Sequence, residues 1–435
     1  MQDSGALQVS LVDTPSDALL GADIQIPGTG EKPAGSTIKI AGWVVGRQAP
    51  VETIELVIDG KVIKTATVDL TRPVVGQRFP AVPWAERSGF MTLAGIIGLG
   101  SPFELRMRAV FPDGSRVPFA VIRGSTEAVS TSFTPTLQPL MVTSLGRTGT
   151  TWLMRVLTEH PQIVGYRRYP YEVLTGKYWM HVLRVLSQPA DPGQTIGKPN
   201  SFHEEKGQIG GNPFHAAAFT EYPGVENFFK YEYPQRILKF CQESTESFYR
   251  AVADAQNQPA ARYFVEKHLP DEYPPLIWQL YPQARELILV RDFRDMASSA
   301  LAFNARRGFN DFGRQRVDND EQWMVNLKRG ATKILTSWQS RAESAHLIRY
   351  EDLIQQPLPT LTAVAKYLGI DQSPATLSEM LARASEDTPE LKGHRTSESA
   401  TASIGRWRRD LDPSLRPIAA ESFNEALSAF GYEIE

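Results

Sequence analysis

Cysteine is nearly absent from this chain: Cys241 is the only one. A single thiol excludes an internal disulfide and a thiolate zinc site, and it fits a reducing compartment. Long apolar runs are missing as well. The longest, FMTLAGIIGLG at 90–100, is too short and too rich in glycine to span a bilayer as a helix. The opening stretch MQDSGALQVSLVDTPSD has neither a basic start nor an apolar core, so no signal peptide is expected. Charge of one sign is not in excess. The 46 basic and 49 acidic residues leave a net charge of −3, which argues against a general nucleic-acid binder. No cluster has metal-ligand spacing, and no internal repeat is visible. These absences describe a cytoplasmic protein without a membrane span.

What is present falls into two styles of sequence. Residues 36–122 read as strands. STIKIAGWVV (36–45) alternates apolar and polar residues, Asp59-Gly60 lies between two such runs in 52–70, and 103–122 repeats the pattern around Pro-Asp-Gly. Alternation broken by turn dipeptides predicts an all-β domain, a small immunoglobulin-like sandwich, over 1–125. A Ser/Thr/Pro-rich stretch then reads as a linker at 126–138. From 139 to 435 the pattern changes to strand–turn–helix. LMVTSL (140–145) runs through a glycine turn into TTWLMRVLTEHP (150–161). ELILV (286–290) runs into RDFRDMASSALAF (291–303), and AHLIRY (345–350) into EDLIQQP (351–357). Such repeats predict an α/β domain with a parallel sheet flanked by helices. Its ligands should lie beyond the carboxyl ends of the strands. The topology of 162–262 is not legible.

The chemistry concentrates in SLGRTGTTWL (144–153). A strand entering a helix through glycines offers backbone N–H groups and the positive end of the helix dipole to an anion. Thr148, Thr150 and Thr151 can donate to phosphate oxygens, and Arg147 adds a cation with a bidentate fork. The lysine of the nucleoside-triphosphatase loop is absent. Arg291 closes the second strand and Ser299 follows eight positions on, so both can reach the same sheet edge.

Together these segments resemble the sulfotransferases that use 3′-phosphoadenosine 5′-phosphosulfate (PAPS). SLGRTGTTW looks like that family's P-loop-like 5′-phosphosulfate loop, and LVRDFRDMASSALAF like its 3′-phosphate motif. HLIRYEDL (346–353) and IGRWRRDL (404–411) resemble two further family segments, and the four occur in the family's order over 140–412. The resemblance implies that Arg147 stands beside the leaving oxygen and that Thr148, Gly149, Thr150 and Thr151 cradle the 5′-phosphate. It also implies that Trp152 packs on adenine, with Tyr350 near the adenine or in the core, and that Arg291 and Ser299 hold the 3′-phosphate. An Arg-Lys-Gly triplet that many members carry is missing; SATAS (399–403) stands there. Gly405 belongs to the C-terminal motif, and Arg406, Arg408 or Arg409 are candidates to compensate.

The resemblance makes PAPS the co-substrate and requires no metal. The acceptor needs a base, and FVEKHLPDEY (264–273) matches two branches of the family, one with Glu266 and one with His268 as the base. On an extended strand the two side chains face the same side. The Glu-Lys pair and the 278–290 region tilt the choice towards Glu266. The β domain is similar to modules attached to bacterial glycan-building enzymes, which points to a carbohydrate or glycolipid acceptor. The rival readings are a phosphoryl-transfer kinase and a glycan-binding protein with a degenerate catalytic domain.

Overall fold

The computed structural model describes residues 6–434 apart from 13–16, 33–36, 59–60, 98, 100–101, 126–130, 188–221, 271–275, 309–311, 314–316, 318, 386–387, 389–392 and 394. The chain divides into two compact units, one of residues 1–134, 178–243 and 274–280, the other of 135–177, 244–273 and 281–435.

In the first unit, strands β1 (Gln8–Leu11), β2 (Leu19–Ile26), β3 (Thr37–Gly46), β4 (Thr53–Ile58), β5 (Lys61–Thr67), β6 (Gly89–Gly95), β7 (Phe103–Val110) and β8 (Arg116–Gly124) form two antiparallel sheets. Their orders are β1-β8-β7-β4-β5 and β2-β3-β6. Period-2 alternation sends Leu105, Met107 and Ala109 of β7 inward, and Ile54 and Leu56 of β4 join them. Ile38, Ile40 and Val44 of β3 and Phe90 of β6 complete one shared apolar core. The hairpin expected at 52–70 forms, with Ile58 opposite Lys61; its Asp59-Gly60 turn lies outside the described residues. The Pro-Asp-Gly turn joins β7 to β8, with Gly114 at φ 79°. One helix interrupts the strands: α1 (Pro73–Arg78) starts on a proline at its first turn, where the missing N–H removes no bond.

The second unit is built on a parallel sheet. Its strands are β9 (Gln138–Ser144), β10 (Ile163–Val164), β11 (Tyr263–His268), β12 (Arg285–Val290) and β13 (Ala345–Arg349), in the order β10-β11-β9-β12-β13. Every residue of β9 is buried, as expected of a central strand covered on both faces. Successive residues of β12 alternate between two cores. Leu287 and Leu289 pack with α2 (Thr150–Thr158), and Ile288 and Val290 pack on the other face. Between β10 and β12 the chain also forms α3 (Thr175–Leu186), α4 (Pro223–Asn227), α5 (Tyr233–Ala255) and α6 (Leu276–Leu280); α4 and α6 fall in the first unit, and α3 and α5 each have residues in both. Beyond β12 come α7 (Phe293–Arg307), α8 (Asp320–Arg341), α9 (Tyr350–Gln355), α10 (Pro357–Leu368) and α11 (Pro374–Ala384). A short helix, Trp407–Asp410, and a C-terminal helix, Leu415–Ala429, follow.

The described half of the stretch expected to be a linker is fastened at its end. Thr136 N donates to Glu246 of α5 at 2.9 Å, and Leu137 is fully buried. Among the described residues no helix is long and apolar enough to cross a membrane.

Candidate active site

Three strand ends converge. β9, β12 and β13 all run parallel and end at one edge of the sheet. Each then turns into a helix, so three helix N-termini face the same space.

The loop after β9 is shaped by two backbone conformations. Arg147 has φ 67° and Gly149 has φ 93°. Holding a non-glycine residue there costs roughly 1–3 kcal/mol and persists only where the surroundings enforce it. At Gly149 the reason for glycine is steric as well. A Cβ would lie 2.5 Å from the Tyr350 ring, which packs against the loop. Thr148 turns inward. Its hydroxyl donates to Leu145 O at 2.7 Å and lies 2.6 Å from Ser144 Oγ, so its side chain fastens the loop rather than facing ligand space.

Arg291, at the end of β12, reaches across the loop. Its Nη1 donates to Arg147 O at 3.1 Å, its Nη2 to Ser403 O at 2.6 Å, and its guanidinium lies over the Tyr350 ring at 4.7 Å. Its buried Nε finds no acceptor among the described residues. Asp292 caps α7 by accepting from Arg294 N, which fixes the start of the helix that carries Ser299 in its second turn. Arg147 Nε donates to Ser299 Oγ at 3.3 Å, and Arg147 stacks on Phe303 at 4.4 Å. Burial, then the neighbouring charges of Arg291 and Arg406, push the Arg147 pKa down to about 10. The guanidinium therefore stays charged at neutral pH, in a cluster of like charges that an anion would relieve.

A cavity of 580 Å³ opens here. Arg147, Gly149, Thr150, Thr151, Trp152, Arg291, Ser299 and Tyr350 line it. Leu353, Ile354, Pro357, Leu381, Ala384 and Ser385 add a largely apolar wall, and 395–401 with Ser403 close it; the expected triplet is missing from this last stretch. Thr396 Oγ1 lies 3.1 Å from Ser299 Oγ and accepts from Arg406 Nη1 at 2.8 Å, and Ser403 Oγ lies 3.1 Å from the Tyr350 hydroxyl. Nothing in that serine- and threonine-rich run marks it as a wall before folding. Gly405 and Arg408 do not line the cavity. Gly405 N and Trp407 N donate to Asp295, at 2.7 and 2.9 Å. Arg408 lies over Trp407 with its side chain half exposed. Arg406 is buried and ion-paired to Asp410 at 2.8 Å.

A second cavity, of 550 Å³, lies on the other side of the same loop. Thr150 lines both. Its walls include Gly146, Lys267, His268, Phe312 and Trp323. Glu266 and His268 share one face of β11, with Nε2 of the histidine 3.4 Å from Oε2 of the glutamate. The two are used differently. Glu266 accepts from Gly176 N at 2.6 Å and Lys177 N at 3.1 Å, in the first turn of α3, and from the Tyr249 hydroxyl at 2.5 Å. It is buried as a cap for that helix, while His268 borders the cavity.

A cationic pocket formed by a strand–loop–helix turn, with two arginines and a serine around it, defines an anion-binding site on a parallel α/β sheet. The model of the sulfotransferase family matches residues 139–374, more than half of the chain, and the chain belongs to that family. No curated protein sequence matches it. The chain is similar to the sulfotransferase domain from the curacin biosynthetic pathway, at 18% identity and a TM-score of 0.40 over 69% of this chain and 100% of that one. It is similar to retinol dehydratase in complex with androsterone and the inactive cofactor PAP, at 14% identity and a TM-score of 0.37 over 88% and 98%. It is also similar to a sulfotransferase from Alicyclobacillus acidocaldarius, at 14% identity and a TM-score of 0.32 over 68% and 97%.

Proposed function

We propose that this sulfotransferase takes its sulfuryl group from PAPS and delivers it to a hydroxyl or amine acceptor. The observation that carries the reading is the meeting of Arg147, Arg291 and Ser299 in one cavity, with Arg147 hydrogen-bonded through its side chain to Ser299 and through its carbonyl to Arg291. The residues fit the nucleotide. Arg291 and Ser299 would hold its 3′-phosphate, and the unmatched Nε of Arg291 would gain an acceptor there. The backbone around Gly149 with Thr150 and Thr151 would hold its 5′ side, and Trp152 and Tyr350 would flank the adenine. When bound, the nucleotide supplies the sulfuryl group and a phosphate leaving oxygen. The protein's own part is to fix positions and to hold charge where the leaving oxygen develops it. Arg147, rigidly placed between Ser299 and Phe303, serves that second purpose.

His268 is the proposed base. It lies on the acceptor-side cavity, and an imidazole nitrogen can accept the acceptor's proton. Glu266 orients it, its carboxylate being held by two backbone N–H groups and a tyrosine hydroxyl. This assignment departs from the tilt towards Glu266 in the sequence. We also propose that the β region of 1–125 is a module separate from a transferase domain of 139–435; its self-contained core supports this.

The test is calorimetric. The full chain should bind adenosine 3′,5′-bisphosphate much more tightly than adenosine 5′-phosphate, in the presence of a chelator. Equal affinity for the two, or a requirement for Mg²⁺ with ATP, would refute the reading.

A further inference from the structure

We infer that the acceptor is a neutral, largely apolar alcohol or phenol, and that its body occupies the cavity on the far side of the loop from the nucleotide. This rests on the sulfuryl-transfer reading and departs from the carbohydrate acceptor expected of the sequence.

Leu145, Leu174, Leu269, Met296, Phe312, Trp323 and Leu327 form the apolar part of the wall. Its polar members are largely committed elsewhere. Ser144 Oγ donates to Leu289 O at 2.6 Å and lies 2.6 Å from Thr148 Oγ1. Lys267 Nζ donates to Pro170 O at 2.9 Å and pairs with Glu172 at 2.8 Å, so this cation and this carboxylate neutralise each other. Among the described residues an anionic acceptor finds no uncompensated lysine or arginine there. A sugar ring carries several hydroxyls, and each one buried without a partner loses the hydrogen bond it had with water. Among the described residues, besides Thr150, His268 and the committed Ser144, Lys267 and Glu172, this wall adds the Asn326 amide and the Trp323 indole as polar groups. The volume of 550 Å³ falls in the range of small-molecule sites, roughly 300–1,000 Å³.

The polarity is also oriented. Thr150 lines both this cavity and the nucleotide cavity, and His268 lines this one. A single hydroxyl would therefore point at His268 while the apolar body extends towards Phe312 and Trp323. The step balances without further reactants. The acceptor O–H gives its proton to His268, its oxygen bonds to sulfur, and the bond between sulfur and the 5′-phosphate oxygen breaks. The products are a sulfate ester, adenosine 3′,5′-bisphosphate and a proton.

The experiment uses the full chain, a ladder of primary alcohols from 1-butanol to 1-octanol, and maltose, with titrations followed by calorimetry and turnover measured with PAPS. Each added methylene should tighten binding roughly fourfold until the cavity is filled, with kcat little changed and maltose inert. Leu327→Asp should weaken 1-octanol roughly tenfold or more and leave adenosine 3′,5′-bisphosphate affinity unchanged. Leu269→Asn at the half-exposed rim is the milder variant should Leu327→Asp not fold. A flat alcohol ladder, or maltose binding more tightly than 1-octanol, overturns the inference. If the ladder holds but the bisphosphate does not bind, the apolar cavity stands and the sulfuryl-transfer reading falls instead.

Discussion

The two cavities that meet at Thr150 differ in the charge they offer. On one side, arginines are held by hydrogen bonds and aromatic rings, and hydroxyls of Thr150, Thr151, Ser299, Thr396 and Ser403 share the wall with Trp152 and aliphatic side chains. On the other, the walls are leucine, methionine and aromatic side chains, and the charges are paired off. One loop of six residues, 146–151, borders both. The difference teaches how a transfer enzyme divides its labour. On the proposed reading the nucleotide side is fixed by backbone geometry, because a phosphate is recognised by directed donors. The proposed acceptor side is defined by shape and by the exclusion of water, with His268 on its wall.

The comparison breaks most sharply on β11. His268→Ala is expected to lose about 10²–10⁴-fold in turnover while bisphosphate binding survives. Glu266→Gln should lower thermal stability, because a buried amide N–H₂ would face the N–H groups of Gly176 or Lys177; the expected loss is roughly 1–3 kcal/mol. Turnover and melting of both variants check the assignment. A His268→Ala enzyme within a few-fold of wild type, beside a dead but stable Glu266→Gln, would reverse the roles.

On the nucleotide side, Arg291→Ala should remove about 1.5–3 kcal/mol of charge-assisted bonding. It should erase the preference for adenosine 3′,5′-bisphosphate over adenosine 5′-phosphate, read by competition binding. Gly149→Ala comes next. Its Cβ would collide with Tyr350 at a backbone angle of φ 93°, and a cost of about 1–3 kcal/mol is expected. The melting temperature should fall, and bisphosphate affinity with it, while the alcohol ladder keeps its slope.

The smallest effect sharpens the support beneath the nucleotide side. Burial pushes the Asp295 pKa up to about 6 from an ordinary value of 3.8, although Trp407 N and Gly405 N donate to it. Between those values the folded protein holds more protons than the unfolded one, so this group's contribution to stability falls as pH rises. The stability gap between wild type and Asp295→Asn should therefore narrow from pH 5 to pH 8. A gap that widens would mean that the ionised carboxylate is the form the fold favours.

The nucleotide side is also the legible side. Arg147, Gly149 and Thr150 are contiguous, and Arg291 and Ser299 sit on one strand–helix turn, so local pattern carries them. The parallel sheet is legible for the same reason, since LMVTSL and ELILV are short apolar runs followed by helices. The acceptor side is not legible. Its wall draws on Leu145, Leu174, Leu269, Met296, Phe312 and Trp323, which no local periodicity links and only the fold assembles. Thr396 and Ser403 escape notice because a serine- and threonine-rich run looks the same as a solvated loop. Glu266 and His268 cannot be separated from spacing alone, because alternation on β11 turns both to one face and only the first turn of α3 claims the glutamate.

One measurement tests the central claim most directly: transfer of radiolabelled sulfuryl from PAPS to 1-octanol by the full chain in the presence of a chelator, alongside His268→Ala and Arg291→Ala. The account predicts a labelled sulfate ester with wild type, almost none with His268→Ala at saturating donor, and a raised requirement for donor with Arg291→Ala. Labelled product formed equally by all three proteins, or product that appears only with ATP and Mg²⁺, would contradict it.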